Sequence, residues 1–157
     1  MADSFEGRVT AWVATTKKRM LAVRNGSAQR VVEIANTTVG EGGNLPFRTG
    51  FLRASGKWAV GEPNFTVTTP PKDGGTFAYD ATAAALVLTN AKLDDVVSFV
   101  WTAAYARRMN YGFVGKDSLG REYNQKGYKF RDLAVQQWGR VVQEECVKAK
   151  ASVEGRA

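Results

Sequence analysis

The chain contains no histidine, which excludes the commonest general base, the commonest zinc ligand and every Ser–His or Cys–His nucleophile pair. Ser55 and Ser118 therefore lack the usual partner that would activate them. A metal site would have to be built from carboxylates, and only Asp94-Asp95 and Glu144-Glu145 are clustered. Adjacent residues point to opposite faces of a strand, or diverge by about a quarter turn on a helix, so neither pair converges on one ion. The single cysteine, Cys146, has no cationic cluster around it and reads as an inert, buried or half-buried thiol. It has no partner for an internal disulfide, in keeping with a reducing cytoplasm. Gly50 to Lys57 holds a Gly-Lys pair, but Trp58 stands where a phosphate loop needs Ser or Thr, and the glycine spacing is too long. The expectation is a protein with no catalytic residue, no metal and no cofactor.

What remains is contact chemistry. The formal net charge is +7 and the pI is about 9.7, which suits a polyanionic partner. The basic residues are scattered, however, and no block is longer than Lys17-Lys18-Arg19. Non-specific nucleic-acid binding through phosphate attraction is the alternative reading; sequence-specific recognition is disfavoured. Cationic and aromatic residues gather around Val96 to Gly112, an apolar run that turns polar at Arg107 and Arg108 and closes on Tyr111, and in the glycine-containing segment that follows. The candidate contact residues are Thr49, Arg53, Arg107, Arg108, Tyr111, Lys116, Arg121, Tyr123 and Lys126.

The elements that must position these residues belong to one domain spanning 1–157, the size at which a single core is the default. In residues 1–36, apolar or small residues at Phe5, Val9, Trp12, Val13, Thr16, Met20, Val23, Ser27, Val31 and Ile34 recur at helical spacing. Asp3 and Glu6 form a capping-box pair at the start, and Asn25-Gly26 is the weak point of one long helix. The stripe is core or subunit contact. Residues 37–48 form a glycine-rich loop, and Thr49 caps a short helical turn with Phe51 and Leu52 buried and Arg53 projecting. Strands are expected at 65–69, 76–80, 84–89 and 96–104, with a loop tip at 70–75. Residues 112–128 read as a long loop, and 130–150 as one helix with Phe130, Ala134, Trp138, Val141 and Val142 on its apolar side. The fold class is α+β: an antiparallel sheet of about four strands packed against a long N-terminal helix and a C-terminal helix. No apolar run is long enough to cross a bilayer, and the acidic start at Asp3, Ser4 and Glu6 is unlike a signal peptide.

Three segments carry a resemblance. Asn36 to Ser55, with its Thr49-Gly-Phe-Leu-Arg-Ala-Ser55 core, Tyr105-Ala106 followed by Tyr111-Gly112, and the aromatic opening of the last helix at Tyr128 to Trp138 resemble the signatures of a family of tail-completion, or neck, proteins of long-tailed double-stranded DNA bacteriophages. Their order and spacing match over nearly the whole chain. The chain departs from that pattern at Arg48, where an acidic residue is expected, and in the long segment containing Asn124 and Gln125. The resemblance implies a structural virion protein at the head–tail junction, made in the host cytoplasm. It implies a homo-oligomeric ring of sixfold symmetry, with head-connector (stopper or adaptor) proteins on one side and a tail terminator or tail tube protein on the other. Contact with DNA in the lumen is implied by the basic surface; a membrane, a cofactor and a catalytic residue are not.

Overall fold

The computed structural model of the chain describes residues 4–154, with the side chains of 4–152. It begins with α1 (Phe5–Asn36), an unbroken helix of 32 residues. The Ser4 hydroxyl caps it, accepting from the Gly7 N–H at 3.1 Å; Asp3, the expected cap, lies outside the described residues. The helix runs through Asn25-Gly26 without interruption. Gly26 instead lies against the last helix, where an added Cβ would lie 2.8 Å from Glu145 Oε2.

A short 3-10 turn (Val39–Glu41) follows, in which the Glu41 carboxylate accepts from both the backbone and the hydroxyl of Thr38 at 2.9 Å. The next elements are α2 (Phe51–Ala54), β1 (Gly56–Val60), α3 (Ala81–Thr89) and β2 (Val97–Trp101). The antiparallel pair β1–β2 sets Trp58 opposite Phe99 and Gly56 opposite Trp101. Beyond these come α4 (Ala106–Tyr111), the strands β3 (Gly112–Lys116) and β4 (Glu122–Lys126), and the helices α5 (Phe130–Val135) and α6 (Trp138–Glu154).

The architecture is α+β, with long helices near both ends and antiparallel strands between them. The strands are divided into two separate pairs rather than one meander. Residues 65–69 are not a strand: only Thr68 is held, donating its N–H to Thr102 O and accepting from the Ala104 N–H, both at 2.8 Å. Residues 76–80 form no strand ladder; the Phe77 N–H donates to Thr49 O at 2.8 Å. Residues 84–89 belong to α3, because the Asp80 carboxylate accepts from the Thr82 and Ala83 N–H groups at 3.0 and 2.9 Å and the alanines that follow are strong helix formers. The expected single helix at 130–150 is two, separated at Gln136-Gln137, where the Gln137 N–H bonds the carbonyl of Ala134 three residues back.

Three clusters share the core. Ala28 and Val32 of α1 meet Trp58 and Leu88; Val31 and Ala35 meet Ala134 and Val141; and Leu45, Leu52, Ala103, Ala106 and Phe130 form the third. A run of edge-to-face aromatic contacts joins them, Trp58–Phe99 at 5.0 Å, Phe99–Trp101 at 4.9 Å and Trp101–Phe130 at 5.2 Å between centroids. The Trp101 indole donates to Asn36 Oδ1 at 3.0 Å, tying the sheet to the end of α1.

Only the C-terminal half of the α1 stripe is buried. Ser27, Ala28, Val31, Val32 and Ala35 are covered, whereas Phe5 (75% exposed), Trp12 (66%) and Met20 (54%) are not.

Candidate docking surface

The segment expected to be a loop, 112–128, is a β-hairpin that stands on a helical base. Its alternation is visible in hindsight: Tyr123 and Gln125 are half-buried while Glu122, Asn124 and Lys126 are exposed. Gly112 sets the entry with φ of 84°, and an added Cβ there would lie 2.4 Å from Gln125 O, so no other residue fits without moving backbone. The base is fixed by buried Asn110. Its side chain donates to Asp132 Oδ2 at 3.1 Å and accepts from the Arg131 N–H at 3.0 Å, while its carbonyl accepts from the Lys129 N–H at 2.9 Å. Burial opposes ionisation of Asp132, but hydrogen bonds from Arg131 and Asn110 outweigh it and hold the carboxyl below its ordinary range.

Arg108 is the brace between base and hairpin. Its guanidinium lies 4.6 Å from the Phe113 ring centroid and 4.0 Å from that of Tyr123, and its Nε donates to Gln125 Oε1 at 3.2 Å. A stacked arginine of this kind contributes on the order of 0.5–2 kcal/mol. At the tip, one oxygen of Asp117 accepts from the Leu119 and Arg121 N–H groups, both at 2.9 Å. The other accepts from Arg121 Nε at 2.7 Å and from the Tyr123 hydroxyl at 3.2 Å. Desolvation pushes the Asp117 carboxyl up, but the backbone and side-chain hydrogen bonds of Arg121 and the Leu119 N–H overcome it, so the pKa falls to about 2. The tip is thus shaped by its own hydrogen bonds; Val114 on the adjoining strand and Leu119 on the tip are exposed at 78% and 75%.

The contact residues read from the sequence are distributed over this hairpin and beyond it. Arg108 and Tyr123 stack, Arg121 serves the tip, and Lys116 pairs with Glu122 across the strands at 3.0 Å. Lys126 is exposed at the hairpin base, and Arg107 and Tyr111 border a separate hollow with Arg131, whose guanidinium lies 5.4 Å from the Tyr111 ring. The tip of the Val96 to Gly112 run is therefore the helix α4, not the end of a strand. Thr49 is not the helix cap: Gly50 takes that position, and the Thr49 hydroxyl is 3.5 Å from the Phe51 N–H. Arg53 does not join the hairpin. It lies 3.6 Å from Glu41, whose pKa is lowered chiefly by the Thr38 hydrogen bonds. Sequence reasoning missed Phe113, Asn110, Asp117 and Gln125. Asp117 followed by Gly120 was the legible signal, an aspartate folding back on a tight turn.

The three segments that carry the family resemblance converge. Leu52, Ala106 and Phe130 share one buried cluster, against which Phe51, Tyr105 and Met109 also pack. Thr49, Tyr105, Met109 and Tyr128 line a groove of about 820 Å³ beside it.

Among the described residues, no group of three or more Cys, Asp or Glu is placed to hold an ion. Comparison of the chain with protein-family models, with curated proteins and with solved structures finds no match.

Proposed function

We propose that the protein is a structural, non-enzymatic virion protein of a phage neck: a tail-completion subunit that joins the head connector to the tail tube as part of a homo-oligomeric ring. The observation that carries this reading is the meeting of the three motif segments, distant in sequence, around one buried cluster and one groove. The motifs thus have a common structural reason to occur together. A second support is the presence of two separate uncovered surfaces, the outer half of α1 and the braced hairpin. A subunit that joins a head connector to a tail tube needs a separate face for each of these partners. Among the described residues no helix is long and apolar enough to cross a membrane.

The test is the position and copy number of the protein in images of intact virions. Density for several symmetric copies between portal and tail is the expected result. A protein that never joins purified particles overturns the proposal.

The alternative is a free, non-specific nucleic-acid-binding protein, favoured by the +7 charge and by Lys17-Lys18-Arg19 on exposed helix. Submicromolar DNA affinity with a steep salt dependence would select it over the ring subunit.

A further inference from the structure

Helices α1 and α6 pack along each other but leave a groove of about 720 Å³ between them, floored and walled by Met20, Val23, Trp138, Val142, Cys146 and Ala149. Trp138 is 44% exposed and Met20 54%, large apolar side chains left facing water. The groove does not end where α6 does. Phe5, Val9, Trp12, Thr16, Met20, Val23 and Ser27 follow one another at spacings of three and four, so the apolar surface continues down one face of α1 toward its start. From Phe5 to Ser27 that face is about 33 Å long at 1.5 Å per residue.

The charges beside it are mostly cationic. Helical phase places Arg8, Lys17, Arg19 and Arg24 on the flanks of the stripe against one acid, Glu6. Lys150 adds to the rim from α6, and among the described residues no acid lines the groove. None of these cations makes an ion pair among the described residues. Arg24 is bonded to the carbonyls of Lys92, Leu93 and Asp95 at 2.6–3.0 Å, neutral acceptors that leave its charge in place.

We infer that this groove binds an amphipathic helix of a different protein, one with an apolar face flanked by acidic residues. A concave trough between two packed helices matches a cylinder, and a third helix laid in it would bury the stripe on both sides. A second copy of this chain is the poorer occupant, because its own α1 would set Arg8, Lys17, Arg19 and Arg24 against the same cations. The inference is independent of the neck-protein reading: particle imaging tests that, and a binding titration tests this.

The experiment uses the full chain and two labelled helical peptides with identical leucines at i, i+3, i+4 and i+7, one flanked by glutamates and the other by lysines. The glutamate peptide binds with micromolar affinity, roughly tenfold tighter than the lysine peptide, and the preference fades as salt rises. Met20→Glu abolishes binding with an unchanged circular dichroism spectrum. Arg19→Glu combined with Lys150→Glu, both at the rim, erases the preference. Equal binding of the two peptides, or binding of neither, overturns the inference. So does dimerisation of the chain that Met20→Glu reverses, which assigns the groove to a second copy. Tight binding to mixed phosphatidylcholine–phosphatidylserine vesicles without peptide binding overturns it in favour of a membrane surface.

Discussion

The two halves of α1 carry the same apolar spacing and have opposite fates. From Ser27 to Asn36 the stripe is covered by α3, α5, α6 and β1, and Val31, Val32 and Ala35 are all buried. From Phe5 to Met20 the same periodicity faces water, with Trp12 66% exposed. Periodicity therefore records that a face is meant to be covered, and only packing tells whether the chain covers it itself. Burying a Val, Leu, Phe or Met side chain contributes about 1.5–3 kcal/mol, so the outer half holds binding energy that folding does not use.

The sharpest way to break this contrast is to place one charge in each half. Val31→Asp puts a carboxylate among Ala35, Ala134 and Val141, with nothing there to pair it. The expected loss is about 3 kcal/mol or more, enough to unfold much of the population in a urea titration. Val9→Asp, on the exposed half, should leave the midpoint within about 0.5 kcal/mol of the parent. If the two variants lose similar stability, the outer half is covered within the folded chain and the contrast fails.

The hairpin is the other projecting element, and unlike the outer half of α1 it carries its own bracing. Gly112→Ala should cost about 2 kcal/mol, since it combines a left-handed backbone with a Cβ placed 2.4 Å from Gln125 O. Amide exchange in residues 112–126 should accelerate with it. Arg108→Ala removes the stack on Phe113 and Tyr123 and should cost about 1 kcal/mol, again with faster exchange confined to the hairpin. Exchange that rises equally throughout the molecule would mean the hairpin is part of the global core rather than a braced arm.

Much of this was legible in the sequence where one signal dominated. The helical stripe of α1, a strand carrying Val97, Phe99 and Trp101, and the loop character of residues 70–75 all came from local pattern and are present, although β2 is half-buried along its whole length rather than at alternate residues. The errors came where two signals competed. Ala84 to Thr89 looked like a strand because it is uniformly apolar, and a short apolar run does not distinguish strand from buried helix; the Asp80 cap upstream was the deciding residue. The hairpin looked like a loop because Gly112, Gly115 and Gly120 mask the alternation of Phe113, Tyr123 and Gln125. Its order depends on Arg108, four or more positions away in chain and visible only once α4 is folded. The contact residues divided in the same way: those on the hairpin were found by composition, but Arg53 was assigned to a surface it does not share, because its partner Glu41 is set by the turn at Thr38.

The smallest effect concerns the tip of the hairpin and appears only in acid. Asp117 is held at a pKa of about 2, below its ordinary 3.8, by hydrogen bonds that favour the carboxylate. A depressed acid stabilises the folded form above its unfolded pKa and loses that contribution as pH falls through the folded one. The tip should therefore be unchanged from neutral pH down to about 4, and the Leu119 and Arg121 amide resonances should then titrate with a midpoint near 2. Asp117→Asn keeps an oxygen for the two amides but not the charge that Arg121 grips, so the acid transition should vanish while the neutral-pH hairpin persists. A midpoint near 3.8 in the parent chain would show that the tip is not held closed in solution. The hairpin would then be, like the outer half of α1, a projecting element without bracing of its own.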